Sequence, residues 1–361
     1  MASRYAVIMA GGRGERFWPL STSRNPKQLL ALTGEKPLIS LAADRLEGLV
    51  PPENVFVVTN ADLVEATRAA APQLPPENVV GEPMGRDTAA AVACGAALVE
   101  AAGGADAVFA VLTADQVIGD LDVFRATLRG AMELAQESDI LLTIGIRPTE
   151  PATGFGYVEA GESFAERRGI EFREALRFVE KPDADRAREY LQTGRFYWNS
   201  GMFVWSVDAL KRAFALHCPE MAQLTETLAA FAREGRIDAG MAETYPGLEK
   251  ISVDYALMEK AENIVMACGA FSWDDVGSWP ALENHFEADP SGNVRIGTVE
   301  TLDSEGNVVF SKGRLTALIG VKDLVVVQAE GVTLVCPKDR AQEIKRMVTT
   351  LRESGEFSAL L

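Results

Sequence analysis

An α/β fold is predicted by three features of this 361-residue chain: a mixed, mainly parallel sheet with helices on both faces, followed by a small β-rich domain. Apolar strand-like runs alternate with helix-like stretches through the first part, and a glycine-rich turn follows the first strand. Beyond residue 289 the alternation gives way to short Val-rich segments punctuated by glycine. This change of texture divides the chain into 1–288 and 289–361, and the length itself favours one large domain plus a smaller one.

Along the chain, strand-like runs at 5–10, 55–59, 107–112 and 140–146 are interleaved with helix-like stretches at about 37–49, 61–71, 87–101 and 121–136. Such alternation makes a parallel sheet covered on both sides, with ligands beyond the carboxyl ends of the strands. From about 153 the pattern is mixed. Segments 153–159 and 176–180 read as strands flanking an acidic, exposed loop, and helices follow near 184–193 and 207–233. In the last domain Gly297, Gly306, Gly313, Gly320 and Gly331 separate short strands, a spacing compatible with a β-helix or a small sandwich. Residues 338–352 close the chain as an amphipathic helix, with Ala341, Ile344, Met347, Val348 and Leu351 at helical spacing for packing on that domain or on a partner subunit.

The turn after the first strand is GGRGERFWP, residues 11–19. Gly11, Gly12 and Gly14 allow a tight turn whose N–H groups face an anion, and Arg13, Arg16, Arg24 and Lys27 surround it with positive charge. It is not a dinucleotide fingerprint, because Phe17 stands where the last glycine belongs and Pro19 interrupts the helix that would follow. No Walker A string occurs either. Residues 1–30 hold five basic side chains against one acid, Glu15, in a chain of net charge −17. An anionic ligand is drawn there, and the reading is a polyphosphate cradle.

At 47% hydrophobic and 24% charged, the composition is that of a soluble globular protein. Its acidity argues against nucleic acid or an anionic membrane as partner. No basic leader precedes an apolar run and no stretch reaches membrane-spanning length, so a cytoplasmic location is expected. Cys94, Cys218, Cys268 and Cys336 lie far apart, without zinc or CxxC spacing, and read as reduced, buried thiols. The two histidines, His217 and His285, lack a nucleophile motif nearby, which disfavours a Ser/His/Asp hydrolase.

The stretch GGRGERFWPLSTSRNPKQLL at 11–30 resembles the sugar-nucleotide pyrophosphorylases, in particular their mannose-1-phosphate guanylyltransferase branch. Further matching segments are EPMGRDTAA at 82–90, TADQ at 113–116, TGFGY at 153–157, EKP at 180–182, WNSGMF at 198–203, SVDYALMEK at 252–260 and WDDVGSW at 273–279. They span nearly the whole chain in the family's order. The resemblance implies a Rossmann-like nucleotidyltransferase domain, a short left-handed β-helix at the C-terminus, a cytoplasmic homodimer, and conversion of GTP and mannose 1-phosphate to GDP-mannose and pyrophosphate with Mg²⁺. A bifunctional arrangement with an added isomerase is not expected, since the chain ends soon after the β domain.

Nucleotidyl transfer asks a protein to neutralise charge and align two anions rather than to do covalent chemistry. Arg16 and Lys27 are the candidates for the triphosphate, with the Gly11, Gly12 and Gly14 amides beside them. Asp115 follows a buried strand, where a carboxylate needs metal, donors or solvent. With Asp275 it makes an oxygen-donor pair suited to Mg²⁺, and the resemblance gives both positions to the metal. Asp274 is the weaker neighbour. Guanine offers two adjacent donors that a carboxylate such as Glu82 would accept. Arg86, Asp87 and Thr88 open an Ala-rich helix whose free N–H groups would face the nucleotide, with simple helix capping as the alternative for Asp87 and Thr88. The family pattern puts Lys181 on the sugar 1-phosphate and Glu180 and Asn199 on sugar hydroxyls, with Gly156 letting backbone approach the sugar. The chain departs from that pattern at Gln116, where the family has His, and at Asp87, where it has Asn; neither change removes a phosphate or metal ligand. The rival readings are a pyrophosphorylase for another hexose 1-phosphate or base, and a catalytically silent regulatory subunit.

Overall fold

Strands with no polar face lie inside a covered sheet, and four runs of Val, Ile, Leu and Phe do so here. The computed structural model describes residues 3–361. Its strands are β1 (Arg4–Ala10), β2 (Val55–Asn60), β3 (Val79–Glu82), β4 (Val108–Thr113), β5 (Val117–Ile118), β6 (Leu141–Ile146), β7 (Tyr157–Arg167) and β8 (Ile170–Val179). They continue with β9 (Phe196–Ser206), β10 (Ile264–Gly269), β11 (Trp273–Asp274), β12 (Val294–Leu302), β13 (Val308–Ile319), β14 (Leu324–Ala329) and β15 (Val332–Pro337). Every residue of β6 is buried, as are most of β1, β2 and β4.

The chain forms two compact units that cut across its linear order. The first comprises the N-terminal strand up to Gly11, Ala42–Ala114 and Ile118–Trp273; the second comprises Gly12–Leu41, Asp115–Val117 and Asp274–Leu361. The partition therefore follows a different line from the change of texture at 288/289.

The first unit is built on a nine-stranded sheet in the order β3-β2-β1-β4-β9-β6-β10-β8-β7. Strands β1 to β4, β6, β7 and β10 run one way and β8 and β9 the other, so the sheet is mixed with a predominantly parallel direction. The helix Asp87–Gly103 is buried from Ala89 through Val99 and packs on the helix Pro219–Arg233. Its many alanines let the two backbones approach closely, around a core that includes Val7, Phe109, Trp205, Phe214 and Leu228.

Local chemistry shifts several predicted elements. The stretch 207–233 is two helices, Val207–His217 and Pro219–Arg233, because Pro219 cannot donate to the preceding turn and instead opens a new helix at its first position. The segment expected as an acidic loop between two short strands is the body of a long hairpin, β7–β8, turning at Arg168 and Gly169, both with positive φ. On β7 the outer half, beyond Ala160, has no buried residue, which hid the alternation there, whereas on β8 Ile170 and Phe172 are buried beside the turn. The stretch 37–49 keeps only Leu38–Asp44 as helix. The closing stretch 338–352 starts as a 3₁₀ turn, Lys338–Glu343, before the helix Ile344–Ser354.

In the second unit β12, β13 and β14 pair in parallel and β15 returns antiparallel along β14. Val294, Val308 and Val325 stack in register, and the buried Asn307 donates to Asn293 Oδ1 at 2.8 Å and to the Val321 carbonyl at 3.1 Å, while its own Oδ1 accepts from the Leu324 N–H at 2.9 Å. Parallel rungs joined by an Asn ladder agree with the coiled β-helix reading and not with a sandwich, whose strands would alternate in direction. Phe17, Trp18, Leu30, Trp279, Val294, Val308, Ile344 and Val348 share one core, so the glycine-rich turn and the rungs are packed together. Among the described residues no helix is long and apolar enough to cross a membrane. All four cysteines are unbridged, and of these only Cys94 is fully buried.

Candidate active site

Strand β1 ends at Ala10 and delivers the glycine-rich turn. Gly14 has φ 61°, in the left-handed region, and a Cβ there would lie 2.2 Å from the Cβ of Lys27. Glycine is therefore required twice over, for the turn and for the approach of Lys27. The turn is held by backbone bonds from Phe17 to Gly14, Trp18 to Glu15 and Ser21 to Phe17, none of which uses the N–H of Gly12, Arg13 or Gly14. Gly11, Gly12 and Arg13 are exposed, as is Arg24.

Lys27 is buried, which is costly for an ammonium unless acceptors meet it. Its Nζ donates to Asp115 Oδ2 at 3.0 Å and to the backbone carbonyl of Asp275. Arg16 and Asp115 both interact electrostatically with Asp275, and Arg16 also donates to Gln342 Oε1 at 2.9 Å. The structure thus brings Arg16, Lys27, Asp115 and Asp275 together, although 248 residues separate Lys27 from Asp275. Burial raises the Asp275 carboxyl above its ordinary range, with Lys27 pulling the other way.

Asp274 and Asp275 are adjacent in sequence and different in place. Asp274 accepts from the Val276 N–H at 2.7 Å, Asn284 Nδ2 at 2.9 Å and His285 Nε2 at 3.0 Å. Burial pushes its carboxyl up, but these bonds outweigh it and hold the group below its usual value. Asp274 therefore pins the loop, and Asp275 is left to face Lys27. His285 serves as an anchor of that loop. The closing helix and the residues after it brace the glycine-rich turn itself: Arg352 donates to Glu15 Oε1 at 2.7 Å, and Trp18 Nε1 donates to the Leu360 carbonyl at 2.8 Å.

Glu82 ends β3 and is 5% exposed. Burial raises its carboxyl to about 7, against an opposing hydrogen bond from the Tyr245 hydroxyl to Oε1 at 3.0 Å. A Cβ on Gly11 would lie 3.8 Å from Oε2, so the other oxygen lies beside the start of the glycine-rich turn. Arg86 is committed elsewhere, donating to the carbonyls of Tyr245 at 2.9 Å and Pro246 at 2.8 Å. Asp87, at φ 67°, accepts from the Thr88 N–H at 2.8 Å. Thr88 Oγ1 accepts from the Val253 N–H at 2.8 Å, and the Ala89 N–H donates to the Ile251 carbonyl. The helix amides expected to be free are thus partly spent on the 251–253 segment, because a first turn next to an extended strip of chain finds protein partners.

A second polar cluster surrounds Gly156. A Cβ there would meet Glu180 Oε2 at 2.5 Å, and its carbonyl accepts from the Asn199 N–H at 2.8 Å. Lys181, with φ 46°, turns back to pair with Glu180. Asn199 donates to Asp254 Oδ1 at 2.9 Å and accepts from the Thr143 hydroxyl at 3.3 Å and the Gly201 N–H at 3.2 Å. Burial lifts the Asp254 carboxyl to about 6, and Glu180 adds to that; Glu259 is raised for the same two reasons. Three carboxyl groups around one Lys and one Asn make a site rich in acceptors, the chemistry that hydroxyl groups seek.

Two contributors carried no role in the sequence reading. Asp254 lay within the quoted SVDY segment, and its position in a π-helical turn, Asp254–Met258, was the structural sign missed. Tyr245 left no signal at all. Among the described residues no three His, Cys, Asp or Glu side chains gather to enclose a metal. The Asp115 and Asp275 pair nevertheless fits a hard divalent cation that takes its remaining oxygens from phosphate, because both donors are carboxylates beside the cationic cradle.

Comparisons with known proteins bear on the family and the fold of this chain. Residues 5–292 match the family model described as nucleotidyl transferase, and residues 297–351 match the one described as MannoseP isomerase/GMP-like beta-helix domain. The chain is 35% identical over 355 residues to the mannose-1-phosphate guanylyltransferase of Escherichia coli strain K12, covering 97% of this chain and 74% of that protein. It is 35% identical over 354 residues to the alginate biosynthesis protein AlgA of Pseudomonas putida, at 97% and 72% coverage. A crystal structure from Thermus thermophilus, named mannose-1-phosphate geranyltransferase, superposes with a TM-score of 0.87 at 38% identity, covering 97% of this chain and 99% of that one.

Proposed function

Because the chain belongs to the nucleotidyl transferase family, we propose that it makes GDP-mannose and pyrophosphate from GTP and α-D-mannose 1-phosphate, the activity for which its relatives are named. The observation that carries this reading is the meeting of Lys27, Arg16, Asp115 and Asp275. An oxygen of the sugar phosphate attacks the α-phosphorus of GTP, the bond from that phosphorus to the bridging oxygen breaks, and pyrophosphate leaves. Lys27 and Arg16 neutralise the triphosphate and hold its leaving portion, while the Gly11, Gly12 and Gly14 amides cradle its oxygens.

Asp115 and Asp275 are the residues that would hold Mg²⁺. When bound, the cation shares the negative charge that gathers on the phosphates. Glu82 accepts the paired donors of guanine, with the Arg86, Asp87 and Thr88 segment supporting the base pocket from behind. Glu180 and Asn199 bind sugar hydroxyls, Gly156 lets them approach, and Lys181 leaves Glu180 to take the 1-phosphate. Residues 1–288 carry these subsites, and 289–361 brace the glycine-rich turn. We further propose a cytoplasmic homodimer, its contact formed around Leu302, Leu315, Ile319 and Met347, large apolar side chains that are exposed on the second unit.

Incubating the pure protein with GTP, Mg²⁺ and mannose 1-phosphate tests the reaction. GDP-mannose and pyrophosphate are expected in equal amounts, and the absence of both rejects the proposal. A panel of other hexose 1-phosphates and nucleotides checks the stated preference.

A further inference from the structure

The buried Tyr245 hydroxyl touches the carboxyl assigned to the base and has no part in the reaction as described. We propose that Tyr245 is a positioning residue for base recognition, holding Glu82 Oε1 inside the protein so that Oε2, beside Gly11, keeps one orientation toward the guanine edge. This inference rests on the assignment of Glu82 made above.

The geometry is specific. Tyr245 is 0% exposed, and its hydroxyl stands 3.0 Å from Glu82 Oε1 and 3.4 Å from the Ala90 carbonyl. A phenol has one proton to give and lone pairs to accept with. When Glu82 is protonated, its O–H donates to the tyrosine oxygen and the phenol proton turns to Ala90. When Glu82 ionises, the phenol proton turns to Oε1 and the carboxyl proton goes to solvent. One side chain therefore satisfies both protonation states without moving, and guanine, which requires the ionised form, is met by a carboxylate already oriented.

The ring is fixed from its backbone. Arg86 grips the Tyr245 and Pro246 carbonyls, so the arginine that the sequence placed on the nucleotide acts one step removed from it. The titratable neighbours are Tyr245 itself, Cys94 on the helix Asp87–Gly103, and Asp238 beyond Cys94 on the helix Ile237–Thr244. On the other side, the turn Ala61–Leu63 and the helix Val64–Ala70 pack on β3 and carry the exposed Asp62 and Glu65. Arg86, held on its two carbonyls, is the cation placed on this assembly by hydrogen bonds.

The test is Tyr245→Phe, assayed with GTP across about pH 5.5 to 8.5. The loss is expected in KM for GTP, about five- to tenfold near neutrality, with the KM for mannose 1-phosphate as internal control. The acid limb of kcat/KM for GTP is expected to move up by about half to one pH unit, because the carboxylate has lost a donor. Glu82→Gln, assayed with GTP, ITP and ATP, separates the two readings. If that variant loses its preference for GTP while Tyr245→Phe leaves both KM and the acid limb in place, Tyr245 is only a packing residue and the inference is overturned. If Glu82→Gln keeps the full preference for GTP, the assignment of Glu82 is itself wrong and the inference falls with it. Should Tyr245→Phe fold poorly by circular dichroism, Arg86→Ala, which releases the same ring from its backbone, is expected to shift the same limb in the same direction, and an unmoved limb overturns the inference.

Discussion

A carboxyl group buried in a protein must give up either its charge or its isolation, and Glu82, at a strand end, and Asp254, in a π-helical turn, show the first outcome. Burial raises them to about 7 and about 6, from ordinary values of 4.5 and 3.8. Each keeps its proton in the folded chain over a range where the unfolded chain has released it. Their contribution to stability is therefore complete below about pH 4 and is lost as pH rises toward about 7. Urea unfolding at about pH 4.5 and pH 7.5 is expected to show the parent losing about 3 kcal/mol more than Glu82→Gln over that interval. At the same scale, Lys27→Met should lower kcat/KM for GTP by about 10²- to 10³-fold while leaving the circular dichroism spectrum unchanged, as measured by pyrophosphate release. The roles of Asp274 and Asp275 show the limit of residue-level reading: two identical neighbours were separated only by their surroundings, His285 and Asn284 bonded to one carboxylate and the charge of Lys27 acting on the other.

At the scale of elements, the glycine-rich turn was legible because its requirements are local. Positive φ and a nearby bulky chain both demand glycine, and both hold at Gly14. Gly14→Ala is expected to cost about 1–3 kcal/mol of stability and at least tenfold in activity, checked by chemical denaturation and initial rates. The β7–β8 hairpin was only partly legible, since β7 beyond Ala160 has no buried face to mark a period of two and on β8 the mark near the turn is only the pair Ile170 and Phe172. The break at Pro219 was readable in principle from proline chemistry, yet apolar spacing continues across it and masks it. In the closing helix Ile344 and Val348 are buried whereas Met347 is half exposed, so the apolar stripe is shared between the core and the surface. Replacing Gln342 by Leu, which removes the acceptor from Arg16, is expected to raise the KM for GTP about two- to fivefold in a steady-state assay.

At the scale of the molecule, the second unit depends on its polar ladder as much as on its valines. Asn307→Ala would strip the Leu324 N–H of its side-chain acceptor and take one of two donors each from the Val321 carbonyl and Asn293 Oδ1, which keep the Glu305 and residue-307 backbone N–H groups. A fall in Tm of about 5 °C or more is expected by calorimetry. Light scattering at micromolar concentration checks the proposed homodimer, and a purely monomeric mass would reject it. The chain also shows why texture and compactness need not coincide. Texture changes at 288/289, but the compact second unit recruits 12–41 because Phe17, Trp18 and Leu30 pack against Trp279 and the β rungs.

By itself the sequence determined the alternating α/β order, the β-rich end, the cationic turn and the acidic candidates, because strand burial, glycine geometry and charge are written within a few residues of one another. Tertiary structure alone decided which acid faces Lys27, that Arg86 holds backbone, and that Tyr245 and Asp254 join the polar clusters. Those outcomes depend on groups that are up to 248 residues apart in the chain and meet only after the sheet and its loops have closed.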